Sequence, residues 1–336
     1  MTEDDVARTI ALALERGLMP PPAGAPYAFL NARPLPGVPA AWRDALVCEQ
    51  GFRPDYLDLR EAGYHAEPVL ADAPAGVGGA IVLAGRLRAA NEQMIARVSA
   101  MLAAGAPVLV AGANRDGIKT LRAWVAGQVA VADSLAKHHC TAFAFSTREG
   151  DPFASVRGET ISPTLFKAEG VDAGSRLLAN FFDRRIAGDV ADFGAGSGFL
   201  SAELLERGGA LRRLDLYEAD HLALEAARAR LAGLGAGVDR RFVWADLLRE
   251  ATGARYDWIV MNPPFHRGRA ADPRIGAGFI AAAAASLKAR GRLLMVANRQ
   301  LPYEAVLAKR FASLTRLAEG PVYKVYEAVS AERGRK

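Results

Sequence analysis

A chain of 336 residues with a 51% hydrophobic fraction has the length for two domains and the apolar content for two cores. Its only cysteines, Cys48 and Cys140, exclude a disulfide scaffold and fit a reducing cytoplasm. The formal net charge of +5 is uneven: residues 1–150 hold 14 Lys+Arg against 15 Asp+Glu (−1), and residues 151–336 hold 28 against 22 (+6), so the basic excess suited to RNA phosphates lies in the second half.

The chain begins acidic, at Thr2-Glu3-Asp4-Asp5, without the basic and apolar regions of a secretory signal, so a cytoplasmic protein is expected. Residues 2–18 read as an amphipathic helix carrying Val6, Ile10, Leu12, Leu14 and Leu18, stopped by Pro20-Pro21-Pro22, a docking or capping element. Ala80–Leu83 reads as a strand, Asn91–Leu102 as a helix, and Gly105–Arg115 as a strand and turn. His138-His139-Cys140 has metal-ligating residue types, but no second cluster stands at ligand spacing, so no metal is expected. The polar, turn-rich Ser146–Pro152 marks the domain boundary, placed between residues 150 and 151.

Beyond it, Val190–Phe193 is a short apolar strand ending in Asp192-Phe193, followed by Gly194, Gly196 and Gly198 and then a helical pattern. Glycines there allow positive φ and close approach of backbone to a ligand. Leu214–Glu218 reads as the next strand, ending in a carboxylate able to bind both hydroxyls of a ribose. Arg241–Asp246 reads as a third, with Ala245 and Asp246 placed to meet an adenine and its amine. A fourth, Trp258–Met261, stops at Asn262-Pro263-Pro264-Phe265. Two prolines stiffen that turn and leave carbonyls free, so Asn262 and Pro263 offer acceptors to an aromatic amine while Phe265 offers a ring for stacking. The loop after His266 carries Arg267, Arg269 and Arg274, read as RNA contacts, and His266 itself as structural. The apolar run Gly278–Leu287 is far short of the ~20 residues a membrane span needs and reads as a buried helix. Gly291–Val296 reads as a strand closing in Ala297-Asn298-Arg299.

The first half echoes this order and also closes in Ala113-Asn114-Arg115, but Ala84-Gly85-Arg86-Leu87 stands where the second half has its Asn-Pro-Pro turn, and no glycine loop is present. The first copy is therefore expected to be catalytically dead.

With these motifs, and with Phe166–Leu178 and Val296–Tyr303, the second half resembles class I S-adenosylmethionine-dependent methyltransferases, and within them the ribosomal RNA guanine-N2 methyltransferases of the RsmC/RlmG type. The resemblance implies two tandem Rossmann-like α/β domains with mostly parallel, doubly wound sheets. The N-terminal copy (1–150) would be a degenerate scaffold or RNA guide, and the C-terminal copy (151–336) would bind S-adenosylmethionine. It implies methyl transfer to a guanine amine of ribosomal RNA by direct displacement, with the RNA or the ribosomal subunit as partner, and a monomer that works without membrane or metal. Adenine N6 or a protein glutamine remains an alternative amine, although Phe265 in place of tyrosine favours guanine. A non-catalytic RNA-binding or assembly protein is the other alternative.

Overall fold

The computed structural model describes residues 4–70, 76–150, 152–157, 172–264, 266–267 and 270–332. The chain divides into two compact units, Met1–Ser162 and Pro163–Lys336. The first runs past the expected edge at residue 150 because Phe153 is buried in its core, with ring centroids 5.1 Å from Trp124 and 6.1 Å from Phe145.

The first unit contains α1 (Asp4–Glu15), β1 (Tyr27–Leu30), α2 (Ala40–Asp44), β2 (Leu46–Glu49), α3 (Arg53–Glu61), β3 (His65–Glu67), β4 (Gly79–Ala84), α4 (Arg88–Met101), β5 (Pro107–Ala113), α5 (Ile118–Ala126), β6 (Val131–Lys137), β7 (Cys140–Ser146) and α6 (Ala154–Arg157). The second contains α7 (Ala173–Ala179), β8 (Gly188–Phe193), α8 (Phe199–Arg207), β9 (Leu211–Glu218), α9 (His221–Arg230), β10 (Asp239–Trp244), β11 (Tyr256–Met261), the short ribbon β12 (His266–Arg267) and β13 (Ala270–Ala271), α10 (Pro273–Ser286), β14 (Leu287–Asn298), α11 (Glu304–Arg310), β15 (Ser313–Glu319) and β16 (Tyr323–Val329).

Each unit builds a seven-stranded sheet, in the order β3-β2-β1-β4-β5-β7-β6 and β10-β9-β8-β11-β14-β16-β15. The two orders are the same topology, with one antiparallel hairpin at the end of an otherwise parallel sheet. Parallel strands covered by helices on both faces need apolar residues at every position. That is how β11 is built: Ile259 and Met261 enter one core with Phe193 and Met295, while Trp258 and Val260 enter the other with Val190 and Leu294. The first sheet sorts Phe29, Ile81 and Leu109 from Leu30, Val82 and Val110 in the same way.

α1 is a docking element, as expected. Val6, Ile10 and Leu14 line one helical face and are buried with Leu109, Ala111 and Ala142 of the first sheet. His138 and His139 form the left-handed turn between β6 and β7, with φ of 52° and 57°. Among the described residues no group of three or more metal-ligating side chains is found, and no helix is long and apolar enough to cross a membrane.

Candidate functional site

In the second unit the register aligns Val260 with Asp192 and Met261 with Phe193, so the chain leaves β11 at Asn262 beside the point where it leaves β8 at Gly194. Both turns therefore open at the carboxyl edge of the sheet, where parallel α/β folds hold ligands.

The glycine loop needs its glycines. Gly194, Gly196 and Gly198 have φ of +74°, +52° and +78°, a region that favours glycine over residues bearing a Cβ. At Gly198 a Cβ would also lie 2.9 Å from the Cβ of Ala227, so that glycine sets how closely the loop packs on α9. At Gly196 nothing lies within 4 Å of the same position, which leaves open space over the backbone. The Tyr217 carbonyl accepts from Gly194 and Ala195 N–H at 2.9 and 3.1 Å and ties the loop to β9.

Glu218 holds the far side of that loop. Its Oε2 accepts from Gly196 N–H at 2.7 Å and its Oε1 from Asp220 N–H at 2.9 Å. Desolvation raises its pKa against the opposing effect of these backbone donors. Ala245 donates its N–H to the Glu218 carbonyl at 3.0 Å, and Asp246 follows, buried, with Oδ1 accepting from Leu248 N–H at 2.9 Å.

Asp192 lies beneath the loop and is fully buried. Oδ2 accepts from the Ser201 hydroxyl at 2.8 Å, whereas Oδ1 has no hydrogen-bond partner among the described residues. Burial pushes its carboxyl up to about 7; the Ser201 hydroxyl opposes this and the negative Glu218 adds to it. An orphaned acceptor under an open glycine loop, with carboxylates past the next two strands, fits a ligand that combines a cationic arm with a nucleoside. S-adenosylmethionine is such a ligand.

Asn262 is clamped. Its Nδ2 donates to Asp172 Oδ1 at 2.7 Å and to Ser175 Oγ at 2.9 Å. A carboxylate only accepts, so the amide nitrogen must face Asp172; with both its hydrogens engaged, what the side chain can offer a ligand is the acceptor Oδ1. Pro263 is buried behind it. The two residues line a cavity of about 190 Å³, together with Asp172, Leu301, Tyr303 and Tyr323. Tyr303 is itself buried, its hydroxyl without a partner among the described residues.

Phe265 and Arg269 lie outside the described residues, as do the side chains of His266 and Arg267. Arg274 is exposed and forked onto Asp272, Nε to Oδ1 and a terminal nitrogen to Oδ2, both at 2.9 Å. The structure thus brings Asp192, the three glycines, Glu218, Ala245, Asp246, Asn262 and Pro263 to one edge of one sheet. Sequence reasoning assigned no role to Asp172 or Ser175. The signal was the N-cap spacing: Asp172 accepts from Ser175 N–H at 3.0 Å to start α7.

The equivalent edge of the first unit is held by different side chains. Gln50 stands just past β2 where Glu218 ends β9, accepting from Phe52 N–H at 2.9 Å and donating to the Ala32 carbonyl at 2.8 Å. Asn91 occupies both the N–H and the carbonyl of Gly85, each at 2.8 Å, in the turn after β4. Asn91 thus bonds both backbone groups of Gly85 within the unit.

A family model for the methyltransferase small domain matches residues 160–327. The chain is similar to the ribosomal RNA small subunit methyltransferase C of Sodalis glossinidius (strain morsitans), at 33% identity over 239 residues, 68% of this chain and 67% of that protein. It is also similar to the protein of the same name from Klebsiella pneumoniae, at 30% identity over 246 residues, 70% and 71% of the two chains. Among solved structures, the T. thermophilus 16S rRNA N2 G1207 methyltransferase (RsmC), in complex with AdoMet and guanosine, matches with a TM-score of 0.72 over 97% of this chain and 91% of that one. At 20% identity this is a likeness of fold.

Proposed function

The chain belongs to the methyltransferase small domain family, and from that premise we propose that it methylates the exocyclic N2 amine of a guanine in small-subunit ribosomal RNA, with S-adenosylmethionine as donor. When bound, S-adenosylmethionine supplies an electrophilic methyl group on a sulfonium. Glu218 would hold the ribose hydroxyls, Asp246 with Ala245 the adenine, and the Gly194–Gly198 backbone would lie against the rest of the cofactor over Asp192. Asn262 Oδ1 and the Pro263 carbonyl would each accept one hydrogen of the base amine.

Those two bonds matter because an aryl amine is a poor nucleophile while its lone pair is shared with the ring. Accepting both hydrogens out of the ring plane favours a pyramidal nitrogen, and holding it in line is worth up to ~7–11 kcal/mol. The amine loses its proton after transfer, so no strong base is needed. Phe265 would stack on the base. The basic run after the turn would meet RNA phosphates, Arg267 and Arg269 ahead of Arg274, whose charge Asp272 already shares. The first unit would guide RNA. One copy of the chain is the working unit in this reading, since the cofactor edge and the base cavity come from a single chain, and it works without a metal in the cytoplasm.

The observation that carries the reading is the clamp on Asn262, which leaves an acceptor as the only group that side chain can offer in the cavity. Asn262→Ala should keep cofactor affinity, read by calorimetry, and lower kcat by ~10²-fold or more, since the lost bonds act on the amine. Loss of cofactor binding in that variant would give the turn a structural role and reject the mechanism.

A further inference from the structure

The cavity beside Asn262 contains a second acceptor for which the reaction above has no use. Asp172 lines it and touches Asn262, and its two oxygens differ. Oδ1 takes the Asn262 amide at 2.7 Å and the Ser175 N–H at 3.0 Å. Oδ2 is met by the Tyr323 hydroxyl at 3.5 Å, the outer limit of a hydrogen bond, and so keeps capacity for a better donor.

Bases differ at the atom next to the amine. Guanine carries a ring N1–H beside its N2 amine, two adjacent donors on the Watson–Crick edge, whereas adenine carries a bare N1 acceptor beside its N6 amine. With the amine on Asn262 Oδ1, the neighbouring ring nitrogen falls toward the carboxylate that adjoins Asn262. We infer that Asp172 Oδ2 accepts the guanine N1–H and makes Asp172 the residue that selects guanine. A base with a bare ring nitrogen there would set one acceptor against another, and neither could be satisfied. The inference rests on the guanine-N2 reading and extends it from the amine to the ring.

Asp172 also positions Asn262, so the test must separate the two roles. Asp172→Asn keeps an oxygen to cap α7 and to hold the Asn262 amide, since asparagine caps as well as aspartate, but turns Oδ2 into a donor. The probe is small-subunit ribosomal RNA carrying either guanine or 2-aminopurine, which has the amine but a bare N1, at the nucleotide the full-length protein modifies. Wild type should favour guanine by roughly 10–100-fold in kcat/KM. In Asp172→Asn the guanine to 2-aminopurine ratio should fall by at least ~10-fold while cofactor affinity is unchanged. An equal fall on both substrates would make Asp172 a positioning residue only and overturn the inference. Asp172→Ser, which caps without a carboxylate, should bring the ratio toward one; a retained guanine preference would likewise overturn it. No transfer to guanine by the wild type would reject the guanine-N2 reading itself, a result distinct from either.

Discussion

Glu218 and Gln50 stand at equivalent places in the two units, each accepting from the N–H two residues on and each bonded to the backbone of the loop after the first central strand. The bonds to the loop run in opposite directions, for Gln50 donates to the Ala32 carbonyl where Glu218 accepts from Gly196 N–H. Glu218→Gln can keep only one of the two backbone N–H bonds and should lose about 1–3 kcal/mol of cofactor affinity by calorimetry, because a charge-assisted acceptor for ribose hydroxyls is gone. Unchanged affinity would remove Glu218 from the cofactor edge. Asp192 adds a pH dependence. Its folded pKa of about 7 lies above the unfolded 3.8, so its contribution to stability is complete below about pH 3.8 and is lost as pH rises to about 7. Asp192→Asn stays neutral throughout. Thermal midpoints of the cofactor-free protein should show the variant gaining on wild type across that window and levelling off above it; a difference independent of pH would mean Asp192 does not titrate there. At this scale the charged and glycine positions were legible in the sequence, because strand ends mark them. The partners of those residues were not. Nothing in the spacing tells that the Asn262 amide meets Asp172, 90 residues away.

At the scale of elements, β11 was legible as a buried run ending in a stiff turn, and it is the strand between β8 and β14 that sets where Asn262 emerges. Ile259 is fully buried in one of the two cores that clamp it. Ile259→Ala should cost ~2–5 kcal/mol in the urea transition of the second unit, a cavity with little room to collapse between two sheets of side chains. A loss under 1 kcal/mol would show that the core closes around the gap. α10 was read too short, from Gly278, although Asp272 and Pro273 give it a capped start. Gly276 obscured it. Gly276 is there for space, since a Cβ would come within 2.0 Å of the Tyr303 hydroxyl, and that demand comes from another part of the fold. The edge strand β15 exposes polar residues Ser313, Thr315, Arg316 and Glu319 without strict alternation, a pattern that protects a sheet edge and hides a strand from sequence reading.

For the whole molecule, the shared strand order bears out the duplication that Ala113-Asn114-Arg115 and Ala297-Asn298-Arg299 suggested, with both segments at the ends of corresponding strands. The edge between units was legible only to within a dozen residues, because Phe153 looks like linker by its neighbours and is core by its packing. One copy carries the glycine loop and the Asn-Pro-Pro turn; in the other, Gln50 and Asn91 bond to the backbone of the corresponding turns. The most direct measurement is nucleoside mass spectrometry of small-subunit ribosomal RNA from cells with and without this chain, complemented by wild type or Asn262→Ala. One N2-methylguanosine should vanish in its absence, return with wild type and stay absent with the variant. An unchanged N2-methylguanosine content, or the loss of a methyladenosine in its place, would contradict guanine-N2 methylation by this site.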